Sequence, residues 1–213
     1  MLTFSPTPVT SYRVTGPPKN PDGSYATNDI ATALADTSNL TDVEKAKAEY
    51  WADGPRSEFP PGHWAVFAQA RSRQRGNSVD DDVKLFFTLG NALMDASIAA
   101  WFWKYKLDYV RPITGIREQF RGQTIVSWLG PYKGYGLVNG ENWIPYQELT
   151  VVTPPFPEYV SGHSTFSGAG ARVLQRFTGS DLFGARVTVR PGTSFVEPGA
   201  TPLLPTVLTW PTF

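Results

Sequence analysis

The clearest hydrophobic pattern in this chain runs from Val79 to Lys106. Apolar residues at Val83, Phe86, Phe87, Leu93, Met94, Ile98, Trp101 and Phe102 recur at helical spacing and predict a long helix with a broad buried stripe. Ser78 stands at the N-cap position, Asp80, Asp81 and Asp82 fill the first turn, and Lys104 falls at the C-terminal end. Pro112 disfavours helical geometry at Arg111, which places the arginine at a bend that swings it towards the lysine. A second clear helix begins around Ser161, with Phe166, Gly170, Val173, Leu174 and Phe177 on its apolar face. The small residues Gly168, Ala169, Gly170 and Ala171 allow close packing, and Gly179 is a natural stop.

Shorter helices are predicted over Asp29–Leu34 and from Thr41, where Thr41-Asp42-Val43-Glu44 matches a capping box, to just before Gly54-Pro55. Pro60-Pro61-Gly62-His63 leads into another helix through Trp64, Phe67 and Ala68, which closes near the basic run Arg71 to Arg75. The stretch from Gly122 to Pro157 reads as loop, and Val187–Arg190 and Pro202–Trp210 read as short extended segments. Residues 1–27, rich in proline, glycine, serine and threonine, read as an irregular lead-in, with one helical domain over 28–213. Long amphipathic helices with only short extended pieces predict an all-α helical bundle.

The apolar run Leu85 to Trp103 approaches membrane-span length, but Asn91, Asp95 and Ser97 interrupt it, so a core helix is expected rather than a membrane segment. The N-terminus has neither a charged nor an apolar signal region, so no signal peptide is expected; localisation is otherwise open. Lysine plus arginine equals aspartate plus glutamate at 19 each, which argues against nucleic acid or an anionic membrane as a partner. Any anion site must arise from local arrangement. Cysteine is absent, excluding disulfides, thiolate metal sites and cysteine nucleophiles.

Candidate chemistry lies in Lys104-Tyr-Lys-Leu-Asp-Tyr-Val-Arg111-Pro112 and in Ser161-Gly162-His163. Two cations at that spacing can neutralise an oxyanion. The Ser-Gly turn at a helix start offers a hydroxyl and backbone N–H donors at the positive end of the helix dipole. Gly162 lets backbone approach an anion unobstructed, and a histidine beside it can move protons near neutral pH. Either motif alone is ordinary helix capping or dipole complementation.

Taken with their flanks, Trp103-Lys104…Arg111-Pro112-Ile-Thr-Gly-Ile-Arg117 and Pro154-Pro-Phe-Pro-Glu-Tyr-Val-Ser161-Gly162-His163-Ser-Thr-Phe resemble the vanadium-dependent haloperoxidase and type 2 phosphatidic acid phosphatase superfamily. The soluble bacterial haloperoxidase-like branch is the more similar, and the resemblance runs from about Pro61 to the C-terminus. One departure is Val160, where the superfamily usually has proline.

The resemblance implies that Lys104 and Arg111 bind equatorial oxygens of vanadate, with phosphate as a competing or alternative anion. It implies further hydrogen bonds from Ser161 and the Gly162 amide, and His163 as the acid–base residue beside the apical position. It also implies a third motif, S-R-x5-H-x3-D, whose histidine ligates vanadium or, in the phosphatases, attacks phosphorus. No histidine follows His163. The expectation is therefore an incomplete bundle, with the axial histidine beyond Phe213 and apolar surface of the Val79–Lys106 helix uncovered.

Three functions follow from this resemblance. The first is vanadate-dependent oxidation of halide by hydrogen peroxide to hypohalous acid, with halide or a small organic molecule as substrate. The second is acid phosphatase activity through a phosphohistidine. The third is a non-catalytic anion-binding or packing role. A homo-oligomer, or association with the missing C-terminal part, is a further expectation. Among nearby residues, His63 is expected to be a polar cap or loop anchor, Asp95 a buried and partnered carboxylate, and Lys106 and Asp108 solvated or loop-bonding. Glu158 is expected to orient a basic group or face solvent, and Arg117 to lie at the surface. The aromatics Trp101, Phe102, Trp103 and Tyr105 are read mainly as core.

Overall fold

The computed structural model describes residues 11, 14–17, 19–23, 28–54 and 57–213. Most of the expected lead-in over 1–27 lies outside the described residues. The chain divides into two compact units. The first gathers Pro60–Tyr109 and Phe156–Ser180 with the described residues before Ser24; the second gathers Tyr25–Phe59, Val110–Pro155 and Asp181–Phe213.

Three helices build the first unit: α3 (Phe59–Arg75), α4 (Val79–Leu107) and α6 (Gly162–Thr178). Pro60 and Pro61 sit in the opening turn of α3, where a missing N–H costs nothing. Ser78 opens α4 through a reciprocal capping box: its hydroxyl accepts from the Asp81 N–H at 3.1 Å while the Asp81 carboxylate accepts from the Ser78 N–H at 3.3 Å. The helix closes at Asp108, in left-handed geometry, whose N–H donates to the Lys104 carbonyl at 2.8 Å. α6 closes the same way at Gly179, with φ 70°.

α4 packs along α6, but through a different stripe from the expected one. The buried positions of α4 are Leu85, Leu89, Leu93, Ala96, Ala100 and Lys104. Of the residues expected inside, only Leu93 is buried, and Val83, Phe87, Met94 and Ile98 are exposed. The periodicity was right and the choice of face was not, because this helix carries two apolar stripes. α3 meets α6 where Trp64 lies over Gly170; a Cβ there would fall 2.4 Å from the indole Cδ2. The Trp64 indole N–H also donates to the Ser167 hydroxyl at 3.2 Å.

The second unit contains α1 (Asn28–Thr37), α2 (Asp42–Tyr50), α5 (Pro112–Gln119) and two small antiparallel sheets. The α2 capping box is present as Thr41–Glu44, and α1 is longer than expected. Strands β1 (Thr124–Trp128) and β2 (Tyr135–Asn139) form a hairpin in register Thr124↔Asn139 to Trp128↔Tyr135, within the stretch expected to be loop. β3 (Leu182–Val189) pairs with β4 (Thr206–Thr212), ordering the two predicted extended segments. Ile30, Ile116, Ile125 and Trp143 form one core of this unit, and Trp128, Tyr146 and Val196 another. The architecture is thus mostly helical, as expected, with two short sheets.

A polar cluster pins α2 to the 194–198 loop. Lys45 pairs with Glu197 at 2.7 Å, and both side chains are largely buried. Glu197 also accepts from the Tyr132 N–H at 3.1 Å and from the Trp128 indole at 3.4 Å. Glu49 accepts from Tyr146, Ser194 and the Phe195 N–H.

Candidate anion site

In the first unit, the C-terminal end of α4 and the N-terminal end of α6 bring Lys104, Ser161, Gly162 and His163 together. Lys104 is 2% exposed, so its charge must be met within the protein. Its ammonium donates to the Pro157 carbonyl at 2.9 Å and the Glu158 carbonyl at 2.6 Å, and sits 5.1 Å from the Phe156 ring centre and 5.9 Å from that of Trp101. The Glu158 N–H in turn donates to the Tyr109 carbonyl at 3.0 Å, so the segment leading into α6 is tied to the end of α4 by one main-chain bond and by the Lys104 side chain.

Ser161 is the N-cap of α6. Its hydroxyl oxygen accepts from the Ser164 N–H at 3.2 Å, which leaves the hydroxyl proton able to donate outward. A Cβ built on Gly162 would lie 3.5 Å from the Trp101 ring and 4.0 Å from the Lys104 Cε, so the lysine stem passes directly beside the turn. N–H groups of a first helical turn point out along the axis, where the dipole is positive. Ser161 and His163 are exposed and Gly162 half-buried, so this end of α6 is open to a small solute. Trp101 packs on Phe156 and Phe166, with ring centres 5.2 and 6.2 Å apart, and shields the apolar stem of Lys104.

Arg111 belongs to the second unit, where it is the N-cap of α5, ahead of Pro112. Its carbonyl accepts from the Thr114 and Gly115 N–H groups, and its backbone is extended (φ −71°, ψ 146°), as Pro112 requires. The bend predicted at this residue is present.

Several neighbours differ from their expectations. His63 is neither a cap nor a loop anchor: it lies inside α3, buried, with its ring 4.7 Å from that of Phe67. Asp95 is exposed rather than buried, because it falls outside the packed stripe of α4. Arg117 is half-buried and donates to the Trp143 carbonyl at 2.8 Å. Lys106 is exposed, as expected, 4.9 Å from the Trp103 ring centre, and Asp108 is likewise exposed, at the C-cap of α4. Glu158, expected to orient a basic group or face solvent, meets Lys104 through its main-chain carbonyl; Phe156 and Pro157 are further partners that the sequence does not signal, Pro157 because a main-chain carbonyl carries no residue signature.

An ammonium, a hydroxyl and outward-facing N–H groups form a set of donors and positive charge. That set suits a tetrahedral or trigonal-bipyramidal oxyanion such as vanadate or phosphate, and His163 adds a group able to hold or give a proton. Among the described residues there is no cluster of three or more histidine, cysteine or acidic side chains that would hold a metal cation. A pocket of about 320 Å³ in the second unit, lined mainly by apolar residues with Arg117 and Glu148, contains none of this donor set.

Residues 84–213 match the family model described as the VCPO second helical-bundle domain. Vanadium chloroperoxidase from Curvularia inaequalis is 33% identical over 100 residues, covering 46% of this chain and 15% of that protein. A crystal structure of a holo-type bacterial vanadium-dependent chloroperoxidase superposes with TM-score 0.72 and 26% identity, over 87% of this chain and 38% of that one. The apo-type bacterial enzyme gives TM-score 0.75 at 24% identity, over 96% and 44% respectively, a likeness of fold. The chain spans less than half the length of each of these relatives. The match over 84–213 shows that the chain belongs to the vanadium haloperoxidase family, as its second helical-bundle domain.

Proposed function

We propose that this chain supplies the oxyanion cradle of a vanadate-dependent haloperoxidase, and that the whole protein oxidises halide with hydrogen peroxide to hypohalous acid. The observation that carries this reading is the convergence of buried Lys104 with the Ser161-Gly162-His163 helix start. Lys104 lowers the cost of holding an anion there, and the Ser161 hydroxyl and the Gly162 amide orient its oxygens. By its resemblance to the family motif, Arg111 is the further cation expected of such a cradle. His163 accepts a proton from the incoming peroxide and returns it to the departing oxygen. Trp101 and Phe156 keep water from the lysine stem, which strengthens its field at the helix end. Bound vanadate supplies the oxygen-transfer chemistry between peroxide and halide.

Vanadate binding tests the cradle without turnover. In a titration of the chain followed by 51V NMR, Lys104→Ala weakens vanadate binding by about tenfold or more, the loss expected of one charged hydrogen bond. His163→Ala leaves affinity within about threefold, since its assigned part is proton transfer rather than charge compensation. In the whole protein, His163→Ala lowers vanadate-dependent bromination of a dione dye by about 100-fold or more. Unchanged vanadate affinity in Lys104→Ala rejects the cradle. Phosphate-ester hydrolysis with no vanadate-dependent bromination favours the phosphatase reading, and binding without either activity favours the packing module.

A further inference from the structure

His163 stands in the first turn of α6, so its place depends on how that helix is rotated. At about 3.6 residues per turn, Ser167 and Gly170 follow His163 at one and two turns along the same face. Trp64 of α3 bears on that face. Its indole N–H donates to the Ser167 hydroxyl at 3.2 Å, and its ring lies so close to Gly170 that a Cβ there would fall 2.4 Å from Cδ2. Trp64 is itself buried, with the Phe67 ring edge-on at 5.2 Å, so the indole has little room to follow a moving helix. On a neighbouring face of α6, Gly162 and Phe166 meet Trp101 of α4. All of these residues belong to the first unit.

We propose that Trp64 is a positioning residue, which fixes the rotation of α6 and with it the point from which His163 moves a proton. The inference rests on the proton-transfer role proposed for His163. A ring against bare backbone at Gly170 stops α6 from turning towards α3, but contact alone lets it slide or turn away. The bond to Ser167 is directional and opposes both movements. Gly170 permits the close approach that brings the indole N–H within reach of Ser167.

Leverage makes rotation matter for one group more than for the others. Side-chain tips stand about 5–6 Å from a helix axis, whereas Cα atoms stand at about 2.3 Å. A turn of about 10° thus moves an imidazole by roughly 1 Å and the helix-start amides by less than about half as much. A misplacement of about 1 Å can cost about 100-fold in rate. Lys104 lies on α4 and does not turn with α6. Loss of the Trp64 bond therefore slows proton transfer while leaving anion binding nearly intact, a split that general loosening of the core does not give.

In the whole protein, Ser167→Ala should lower the turnover of vanadate-dependent bromination about tenfold or more, with vanadate affinity by 51V NMR within about twofold. Alanine is the better helix former, so far-UV circular dichroism should be unchanged. Ser167→Thr, which keeps a hydroxyl, should retain most of the turnover. Trp64→Phe should match Ser167→Ala, and combining the two should add little, because each removes the same bond. The 213-residue chain offers a readout without turnover, since His63 and His163 are its only histidines. The imidazole NMR signal that disappears in His163→Ala should shift in Ser167→Ala, and the same change should shift it little in a Trp64→Phe background. Equal shifts in the two backgrounds would mark a local effect of Ser167 and overturn the proposal. Turnover within about twofold of the unaltered protein in both single variants also overturns it, as does a loss of vanadate affinity equal to the loss of turnover. An unaltered protein without vanadate-dependent bromination rejects the haloperoxidase reading instead, and the His163 signal still decides whether Trp64 sets the rotation of α6.

Discussion

Burying a lysine or a glutamate is tolerated here only where hydrogen bonds replace the lost water, and Lys104 and Glu197 show two solutions. The Lys104 ammonium donates to two main-chain carbonyls; Glu197 is paired with the full charge of Lys45. Burial pushes the Glu197 carboxyl up, but the Lys45 ammonium, the Tyr132 N–H and the Trp128 indole outweigh it and hold it below the ordinary range. A carboxyl depressed in the folded state contributes stability above its unfolded value, and that contribution is lost as pH falls through the folded one. The urea midpoint should therefore drop on acidification below about pH 4.3. Glu197→Gln should cost about 3–5 kcal/mol at neutral pH by stranding Lys45, and should flatten that acid slope. Equal acid slopes in the two proteins would remove Glu197 from the account. The sequence identifies Lys104 as a candidate cation, but it cannot identify main-chain carbonyl partners or show that Asp95 stands outside the packed stripe.

At the scale of elements, chemistry at helix ends reads directly from sequence, whereas the choice of buried face does not. Thr41–Glu44, Ser78–Asp81 and Gly179 each mark a boundary through a local hydrogen bond, and each is found where expected. α4 has two apolar stripes of the same period, and only its partner helix decides between them. The β1–β2 hairpin escapes a sequence reading because its connection runs from Leu129 to Gly134 rather than through a two-residue turn. α6 offers a paired test of packing against propensity. Gly168→Ala meets open space on an exposed position and should stabilise by about 0.5–1 kcal/mol through helix propensity alone. Gly170→Ala gains the same propensity but drives a methyl into buried Trp64, and overpacking of about 1–3 kcal/mol should prevail. Thermal melts of opposite sign separate the two; matching shifts would show that the Trp64 contact is soft.

For the whole molecule, the two motifs identify the family from sequence because they concentrate charge and helix-start chemistry in short, unusual strings. The length comparison restricts what those motifs show: this chain accounts for 44% or less of each relative described above. Net charge is zero and the isoelectric point is near 6.7, so electrostatic repulsion between copies is weakest at neutral pH. Light scattering at fixed concentration should peak near pH 6.7 and decline on either side; a flat profile would show that apolar contact alone governs association.

The bond from the Glu158 N–H to the Tyr109 carbonyl bears on how this fold tolerates change in length. Residues 110–155 leave the first unit beside the point where the chain returns, so their two ends are already closed by Tyr109, Lys104 and Glu158. Closing a loop twice as long costs only about 0.6 kcal/mol more. Length changes confined to its connections, such as Leu129–Gly134 between β1 and β2, can therefore accumulate at little entropic penalty while the lysine and the helix start stay fixed. Exchange of the whole excursion would also have to match Ile30 and Val196, which share its two cores.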